Sequence, residues 1–335
     1  MMHESQITSH QSRAICVREA IAEAIAILGK AGVPSHALAA ELLLMHVIGR
    51  DRAWLYAHSE EIVAPVEREQ FFALVARRAA GEPTQYLTGS QEFWGLEFEV
   101  TRDVLIPRPE TEHVVEVALA RLGVLDEGDG ARSPQHAVEW RIADLGTGSG
   151  CIAIALAHEL PSARVIATDI SAPALEVARR NAVRHGVAAR IDFVECNLLD
   201  AFLHGSLNTG HRTLALDLIV SNPPYVPRSE AATLPREVRE HEPEVALFAS
   251  EDGTALYAPL IRQAAQMLRP GGWLVLELGH NSREHVLGKF NASDWENVSI
   301  TNDLAGMPRV AAARRKVGRT AVSDYHVNQS LAAGS

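Results

Sequence analysis

From Arg141 onward, segments typical of strands alternate with segments typical of helices. The predicted strands cover residues 141–145, 164–170, 190–196, 214–221 and 273–278, with two further candidates at 298–301 and 310–314. The predicted helices cover residues 151–158, 173–185 and 254–268. Because parallel strands need crossover helices that pack on both faces of the sheet, the alternation predicts an α/β fold with a mostly parallel sheet.

The first third of the chain has helical periodicity instead. Apolar residues recur at helical spacing from Val17 to Leu28, and a second such segment runs from Pro34-Ser35 to Gly49. A third begins near Pro65, a residue favoured in the first turn, and Gly81-Glu82-Pro83 ends it. The pattern predicts three or four short helices in a small bundle.

Two short segments connect these regions. Glu92–Val100 places aromatic and aliphatic residues around Gly95, which predicts a β-hairpin. Leu105–Glu110 contains two prolines, so we expect a rigid extended loop there. We therefore divide the chain into a disordered tail (1–13), a helical domain (14–88), a hairpin linker (89–103), an α/β domain (104–316) and a second disordered tail (317–335).

Composition restricts the class of partner. The formal net charge of the 335 residues is -11, which argues against binding duplex nucleic acid through its phosphates. The three cysteines are far apart, and the first residues lack the apolar core of a signal peptide. No apolar run is long enough for a membrane span. We expect a cytoplasmic monomer with no direct contact to nucleic acid or membrane, and no metal.

A glycine-rich loop, Asp144–Gly150, joins the first predicted strand of the α/β region to its helix. Its spacing differs from the dinucleotide fingerprint, because Cys151 stands where the third glycine would be, and it lacks the lysine of a P-loop. Ligands bind beyond the carboxyl ends of strands in such sheets. The spacing suits an adenosyl ligand without a pyrophosphate, although an ordinary structural turn is the alternative.

The ends of the next two predicted strands supply further ligand contacts. Asp169 lies about twenty residues after the loop, where a carboxylate that accepts from ribose hydroxyls is expected. The alternative role, capping the next helix, suits Ser171 better. Asn197 and Leu198 would lie near the adenine, as a hydrogen-bond acceptor and a packing surface. An ordinary loop asparagine is an equally good interpretation of Asn197.

The most specific motif is Asn222-Pro223-Pro224-Tyr225, directly after the fourth predicted strand. The prolines stiffen the backbone, so that the Asn222 side-chain oxygen and the Pro223 carbonyl can each accept one hydrogen of a substrate NH₂ group. That grip would hold a weakly nucleophilic, conjugated nitrogen toward a sulfonium methyl group, and Tyr225 could stack on a planar group. The motif predicts methyl transfer to an amine or amide nitrogen, with Asn222, Pro223 and Tyr225 as the catalytic residues.

Together these motifs resemble those of class I methyltransferases that methylate nitrogen. The flanking motifs are similar to those of peptide chain release factor glutamine methyltransferases, and the resemblance runs from about residue 15 to residue 316. They are Gly81–Pro83, Tyr86–Gly89, Glu92–Trp94, Ile106–Glu112 and Arg239–Pro243. The resemblance implies a catalytic domain with a Rossmann-like sheet of seven mostly parallel strands. It also implies a small all-α N-terminal domain that helps to dock the substrate and is joined by a β-hairpin.

The resemblance also implies the reaction and the residues that serve it. The reaction would be N5-methylation of the glutamine in the Gly-Gly-Gln motif of class 1 release factors, with S-adenosylmethionine converted to S-adenosylhomocysteine. Substrate contacts would come from Asn222, Pro223, Pro224 and Tyr225. Cofactor contacts would come from Gly146, Thr147, Gly148, Ser149, Gly150, Asp169, Asn197, Leu198 and Asn222. Arg108, Pro109 and Glu110 would wall the site near the methionine end of the cofactor. One departure is that relatives commonly carry aspartate at position 197.

Three other functions compete with this interpretation. A glutamine methyltransferase of a large-subunit ribosomal protein would share Asn222–Tyr225 and differ in the N-terminal motifs. A DNA or RNA amino-methyltransferase predicts a basic cleft or a target-recognition segment, against which the net charge and the helical extension both argue. A non-catalytic cofactor-binding module is disfavoured by the intact Asn222 and Pro223.

Overall fold

The structure, a computed structural model, describes residues 14–125, 138–203 and 215–317. The two predicted disordered tails, apart from Val317, lie outside the described residues. Five helices form the N-terminal bundle: α1 (Val17–Lys30), α2 (His36–Ile48), α3 (Arg52–Ala57), α4 (Pro65–Ala79) and α5 (Thr84–Thr88). Leu28, Leu43 and Phe71 are fully buried between them. The predicted helical N-terminal region is confirmed, with more helices than its periodicity indicated.

A hairpin of β1 (Ser90–Phe93) and β2 (Leu96–Glu99) follows the bundle, and its strands pair antiparallel. The remaining strands are β3 (Arg141–Leu145), β4 (Arg164–Asp169), β5 (Ile191–Glu195), β6 (Leu216–Ser221), β7 (Val226–Pro227), β8 (Phe248–Ser250), β9 (Leu268–Glu277), β10 (Trp295–Asn302) and β11 (Pro308–Arg315). Seven of them form one sheet in the order β10-β11-β9-β6-β3-β4-β5. Only β11 runs antiparallel to its neighbours, so the predicted mostly parallel sheet is confirmed.

Helices cover both faces of this sheet. The helices that follow the hairpin are α6 (Glu112–Arg121), α7 (Cys151–Glu159), α8 (Ala172–Arg184), α9 (Asp200–Leu203), α10 (Arg236–His241), α11 (Glu244–Leu247), α12 (Tyr257–Met267) and α13 (Arg283–Leu287). Alternate residues of β3 face opposite sides: Ile142 packs in the core with α6 and α7, whereas Ala143 packs in the core with α12. Period-two alternation therefore builds two cores from one strand.

The expectation of a loop over Leu105–Glu110 is wrong for its last two residues, Pro109 and Glu110. A 3₁₀ turn spans Pro109–Thr111 and continues directly into α6, which the sequence interpretation missed. Proline lacks an N–H and has a fixed φ, so it starts a helix as readily as it interrupts one. Val114 and Val115 of α6 are fully buried under the sheet. This packing fixes the position of Thr111 at the head of the helix.

A second feature that the sequence interpretation missed is the segment between β6 and α12. It contains β7, a 3₁₀ turn, α10, α11 and β8. Arg78 at the end of α4 is buried and forms an ion pair with Glu237 of α10. The segment therefore contacts the helical bundle as well as the sheet. Within the three described ranges, no helix is long and apolar enough to cross a membrane.

Candidate active site

Three strand ends meet at one edge of the sheet. In the parallel register, Leu145 of β3 lies opposite Thr168 of β4 and Ser221 of β6. The Ser221 hydroxyl donates to the Leu145 carbonyl at 2.7 Å, which ties the two strand ends together. The glycine-rich loop, Asp169 and Asn222 all begin at this edge and line a common cleft.

The glycine-rich loop folds back on the end of β4. The amides of Gly146 and Thr147 both donate to the Thr168 carbonyl, at 2.8 and 2.9 Å. Gly148 has φ +54°, and a Cβ atom there would meet no other atom within 4 Å, because the position faces the cleft. A side chain at this position would therefore occupy ligand space and strain the backbone.

Asp144 braces this loop from below. Its Oδ2 accepts hydrogen bonds from the Thr147 hydroxyl at 2.7 Å and from the Ala153 amide at 3.1 Å. Its Oδ1 is buried with no hydrogen-bond partner among the described residues. Burial raises the pKa of Asp144 to about 7. Asp144 is fully buried and does not line the cleft, so its role is to hold the loop rather than to contact a ligand.

Asp169 lies at the end of β4 with half of its acceptor capacity in use. Its Oδ2 accepts from the Gly148 amide and its Oδ1 from the Ser171 amide, both at 2.9 Å. Each carboxylate oxygen has a further lone pair for a ligand hydroxyl. Burial raises the pKa of Asp169. Ser171 caps α8 by accepting from the Ala174 amide, so Asp169 is not the capping residue.

The third strand end contributes Asn197 and Leu198. Asn197 is exposed, and its Nδ2 donates to Asp200 at 3.1 Å, which leaves its Oδ1 available as an acceptor. Leu198 is buried despite a φ of +52°, a conformation that is strained for a branched side chain. Both residues line the cleft. This arrangement is compatible with an adenine amine donating to Asn197 and the ring packing on Leu198.

Most of the predicted site residues lie together. The cleft is lined by Gly146, Thr147, Gly148, Ser149, Asp169, Asn197, Leu198, Asn222, Pro223 and Pro224. Gly150 does not line it; a Cβ atom there would lie 3.0 Å from Ile154 and 3.1 Å from Ala178, so this glycine permits close helix packing. Free carboxylate acceptors, a glycine face and an apolar floor fit an adenosyl group with a short polar tail.

A second cavity shares Asn222, Pro223 and Pro224 with the cleft and adds Tyr225. Asn222 Nδ2 donates to Thr111 Oγ1 at 3.1 Å, and Thr111 Oγ1 donates to Glu277 Oε2 at 2.7 Å. The Tyr225 hydroxyl donates to Glu277 Oε1 at 3.3 Å. Thr111 and Glu277 were not identified from the sequence. The available signal was a carboxylate at the end of the otherwise apolar strand 273–278.

Two glycines, Gly279 and Gly253, pack closely against Tyr225. A Cβ atom on Gly279 would lie 2.9 Å from the Tyr225 ring, and one on Gly253 would lie 2.3 Å from the Tyr225 carbonyl. Both positions therefore need glycine for the aromatic ring and its backbone to sit where they do. Burial raises the pKa of Tyr225 above its usual value, so its phenol stays protonated and acts as a donor.

Only some of the three residues predicted to wall the methionine end of the cofactor line a cavity. Arg108 lines both cavities, whereas Glu110 lines the second cavity and Pro109 lines neither. Arg108 donates to Glu242 at 2.5 Å, and the Ile106 amide donates to the same carboxylate. Burial raises the pKa of Glu242, and Arg108 opposes that shift. Glu242 therefore anchors the loop that separates the two cavities.

Asn181 of α8 is another residue that the sequence interpretation missed. Its side chain is fully buried, donates to the carbonyls of Glu99 and Ser149 at 3.0 and 2.9 Å, and accepts from the Glu99 amide at 2.7 Å. It thereby joins the hairpin to the glycine-rich loop. Across the described ranges, no cluster of three His, Cys, Asp or Glu side chains could hold a metal ion.

Comparison with known proteins identifies two matching families. Residues 19–89 match the family described as the PrmC N-terminal domain, and residues 133–236 match the methyltransferase small domain. The first match covers the helical bundle. The second covers the glycine-rich loop, Asp169 and Asn222–Tyr225, which are the residues gathered at the sheet edge.

Curated relatives match over most of the chain. The release factor glutamine methyltransferase of Koribacter versatilis is 40% identical over 299 residues, which are 89% of this chain and 98% of that protein. The protein of the same name from Chlorobaculum tepidum is 43% identical over 295 residues, 88% of this chain and 95% of that protein. The alignments therefore span most of this chain and nearly all of each relative.

Among solved structures, the hMettl16 catalytic domain in complex with MAT2A 3'UTR hairpin 1 matches with a TM-score of 0.51. It is 19% identical and covers 73% of this chain and 82% of that chain. At this identity the likeness establishes a shared fold and nothing about the substrate.

Proposed function

The chain belongs to the release factor glutamine methyltransferase family, and from that premise we propose that it methylates N5 of the glutamine in the Gly-Gly-Gln motif of class 1 release factors. S-adenosylmethionine is the proposed methyl donor. The observation that carries the proposal is the position of Asn222 and Pro223, which form a wall shared by the glycine-lined cleft and the second cavity. Asn222 and Pro223 would therefore contact both a cofactor held in the cleft and a substrate amide held in the second cavity.

For the cofactor, we assign the glycine-rich loop, Asp169, Asn197 and Leu198. Asp169 retains lone pairs for two ribose hydroxyls, and Gly148 leaves space where a side chain would intrude. When bound, S-adenosylmethionine supplies an electrophilic methyl group on a positively charged sulfur. The residues of the chain then have to place a poor nucleophile in line with that group.

Asn222 and Pro223 supply this placement. The Asn222 Oδ1 is left free by the hydrogen bond of its Nδ2 to Thr111. Pro223 lines both cavities, so its carbonyl can serve as the second acceptor. Two acceptors that hold both protons of a substrate amide orient its nitrogen and stabilise positive charge as the N–C bond forms and the methyl–sulfur bond breaks. One of the two protons then leaves the nitrogen to give the N-methyl amide. Tyr225 packs beside them as a flat wall for the planar amide.

Substrate docking is assigned to the helical domain of residues 14–88 and the segment between β6 and α12. Arg78 of α4 pairs with Glu237 of α10, and Leu234 and Val238 line the second cavity. A protein bound to the bundle would therefore also lie beside the cavity mouth. We propose that the enzyme acts as a cytoplasmic monomer.

Labelled methyl transfer tests the proposal directly. The purified full chain is incubated with methyl-labelled S-adenosylmethionine and a class 1 release factor, and the label is located by peptide mass spectrometry. We expect one methyl group on the glutamine of the Gly-Gly-Gln motif and none on a release factor with that glutamine changed to alanine. Label in a large-subunit ribosomal protein or in DNA, with none in the release factor, would refute the substrate assignment.

A further inference from the structure

We propose that Thr111 and Glu277 are positioning residues that determine which way the Asn222 side-chain amide faces. Together with Tyr225 they form a hydrogen-bonded group, here called the orienting relay, which presents the Asn222 oxygen to the substrate cavity. The inference rests on the proposed function, because it explains how Asn222 is kept ready to accept a substrate N–H.

The relay has a defined direction. Asn222 Nδ2 donates to Thr111 Oγ1 at 3.1 Å, Thr111 donates to Glu277 Oε2 at 2.7 Å, and Tyr225 donates to Glu277 Oε1 at 3.3 Å. Thr111 is 2% exposed and Glu277 is 1% exposed, so bulk water has little access to replace either partner. Each buried polar group must therefore be satisfied inside the relay.

The charge of Glu277 sets that direction. An ionised carboxylate can only accept hydrogen bonds, so it takes the single hydroxyl proton of Thr111. The Thr111 oxygen can then only accept from Asn222, which must turn its NH₂ group toward it. The flipped amide would face two oxygens toward each other and would point an NH₂ group at the NH₂ group of the substrate. Both contacts are repulsive, so the relay selects the reactive orientation.

Three separate parts of the fold bring these residues together. Thr111 ends the 3₁₀ turn that leads into α6, Asn222 follows β6, and Glu277 is the last residue of β9. In the parallel register Ser221 lies opposite Leu276, so Asn222 and Glu277 emerge side by side. The charged groups that act on Glu277 are Arg309, which favours its ionised form, and Glu110, which opposes it.

The central test compares Thr111→Val, which keeps the shape but removes the hydroxyl, with Thr111→Ser, which keeps the hydroxyl. We expect kcat for methyl transfer to release factor to fall about tenfold in Thr111→Val, the worth of roughly one lost hydrogen bond. Thr111→Ser should stay within about twofold of wild type. Cofactor affinity, measured by calorimetry, should stay within about threefold of wild type in both variants. Thr111 lines the cleft, but its hydroxyl bonds to Asn222 and Glu277 and not to Asp169 or the glycine-rich loop.

A double-mutant cycle separates orientation of Asn222 from general support of the fold. In an Asn222→Ala background there is no amide to orient, so Thr111→Val should cause no further loss of kcat. A structural role for Thr111 would cost the same factor in both backgrounds. Wild-type kcat in Thr111→Val, or an equal loss in the two backgrounds, would overturn the inference.

A second variant covers the case in which Thr111→Val does not fold. Glu277→Gln keeps the shape but removes the charge that sets the direction, so we expect kcat to fall about threefold to tenfold with unchanged cofactor affinity. An unchanged kcat would reject the relay. The proposed substrate is judged separately, by whether the wild-type enzyme methylates release factor at all; if another amide is its substrate, the same variants test the relay on that amide.

Discussion

The cofactor cleft and the substrate cavity share a wall, yet they are held together by different kinds of contact. In the cleft, the glycine-rich loop is braced by residues at most 32 positions away, namely Asp144, Asp169 and Asn181. In the cavity, Asn222 is held by Thr111, which is 111 positions away, and Thr111 by Glu277, which is 166 positions away. Binding of the cofactor thus depends on local motifs, whereas orientation of the substrate nitrogen depends on tertiary structure.

The largest expected effect comes from removing the side chain that acts on the substrate side. Asn222→Ala should lower kcat about 100- to 1000-fold, as loss of one preorganised polar contact in an active site does. Cofactor affinity should stay within about threefold of wild type, because the glycine-rich loop and Asp169 are untouched. Single-turnover methylation of release factor and calorimetry with the cofactor would measure the two quantities.

The matched control is Asn291→Ala, an exposed asparagine that bonds to Asp294 and lines neither cavity. It should leave both quantities unchanged. If Asn222→Ala turned over as fast as this control, Asn222 would have no place in the mechanism. The long-range contacts that hold it would then not serve to orient the substrate.

The opposite pattern is expected on the cofactor side. Asp169→Ala should weaken cofactor binding roughly 10- to 100-fold, because hydrogen bonds to a charged acceptor are worth about 1.5–3 kcal/mol. At saturating cofactor, kcat should return to near wild type. Asp169→Asn keeps an acceptor oxygen and should lose less affinity. Equal affinity of wild type and Asp169→Ala in a calorimeter would exclude the ribose role.

The same contrast explains what could be read from the sequence. The glycine-rich loop, Asp169 and Asn222–Tyr225 were predictable because each is a contiguous motif at the end of a strand. Thr111 was missed because Pro107 and Pro109 favoured a loop, while the buried valines of α6 determined a helix start. Glu277 and Asn181 were missed because a polar residue becomes meaningful only when its partners from distant strands and helices are known.

The pH dependence of kcat and of cofactor affinity should distinguish the two regions further. Burial, with a smaller contribution from Glu110, raises the pKa of Glu277 to about 7. The hydrogen bonds from Thr111 and Tyr225 and the charge of Arg309 oppose this shift. The ionised form directs the relay, so kcat should be high above that pKa and fall as pH drops through it. At about one pH unit below it, kcat at saturating cofactor should be roughly threefold to fivefold lower, since only about a tenth of Glu277 remains ionised and the neutral form should retain about the activity of Glu277→Gln.

Asp144 is the group that could imitate this profile, because burial raises its pKa to about 7 as well. It lies under the glycine-rich loop, so its protonation should appear in cofactor affinity and not in kcat at saturation. Glu277→Gln supplies the control: its kcat should be nearly flat across the same pH range. A profile for Glu277→Gln with the same acid limb as wild type would assign the titration to another group.

The smallest expected effect concerns the adenine end of the cleft. Asn197 is exposed and its Nδ2 is already bonded to Asp200, so it can add at most one neutral hydrogen bond through Oδ1. Asn197→Ala should therefore weaken cofactor binding about fivefold, corresponding to roughly 1 kcal/mol, and leave kcat unchanged. Asn197→Asp should bind at least as well as wild type, since a carboxylate accepts more strongly from an adenine amine. If both variants bound the cofactor like wild type, Leu198 and the loop would hold the adenine by packing alone, and the polar contacts of the cleft would end at the ribose.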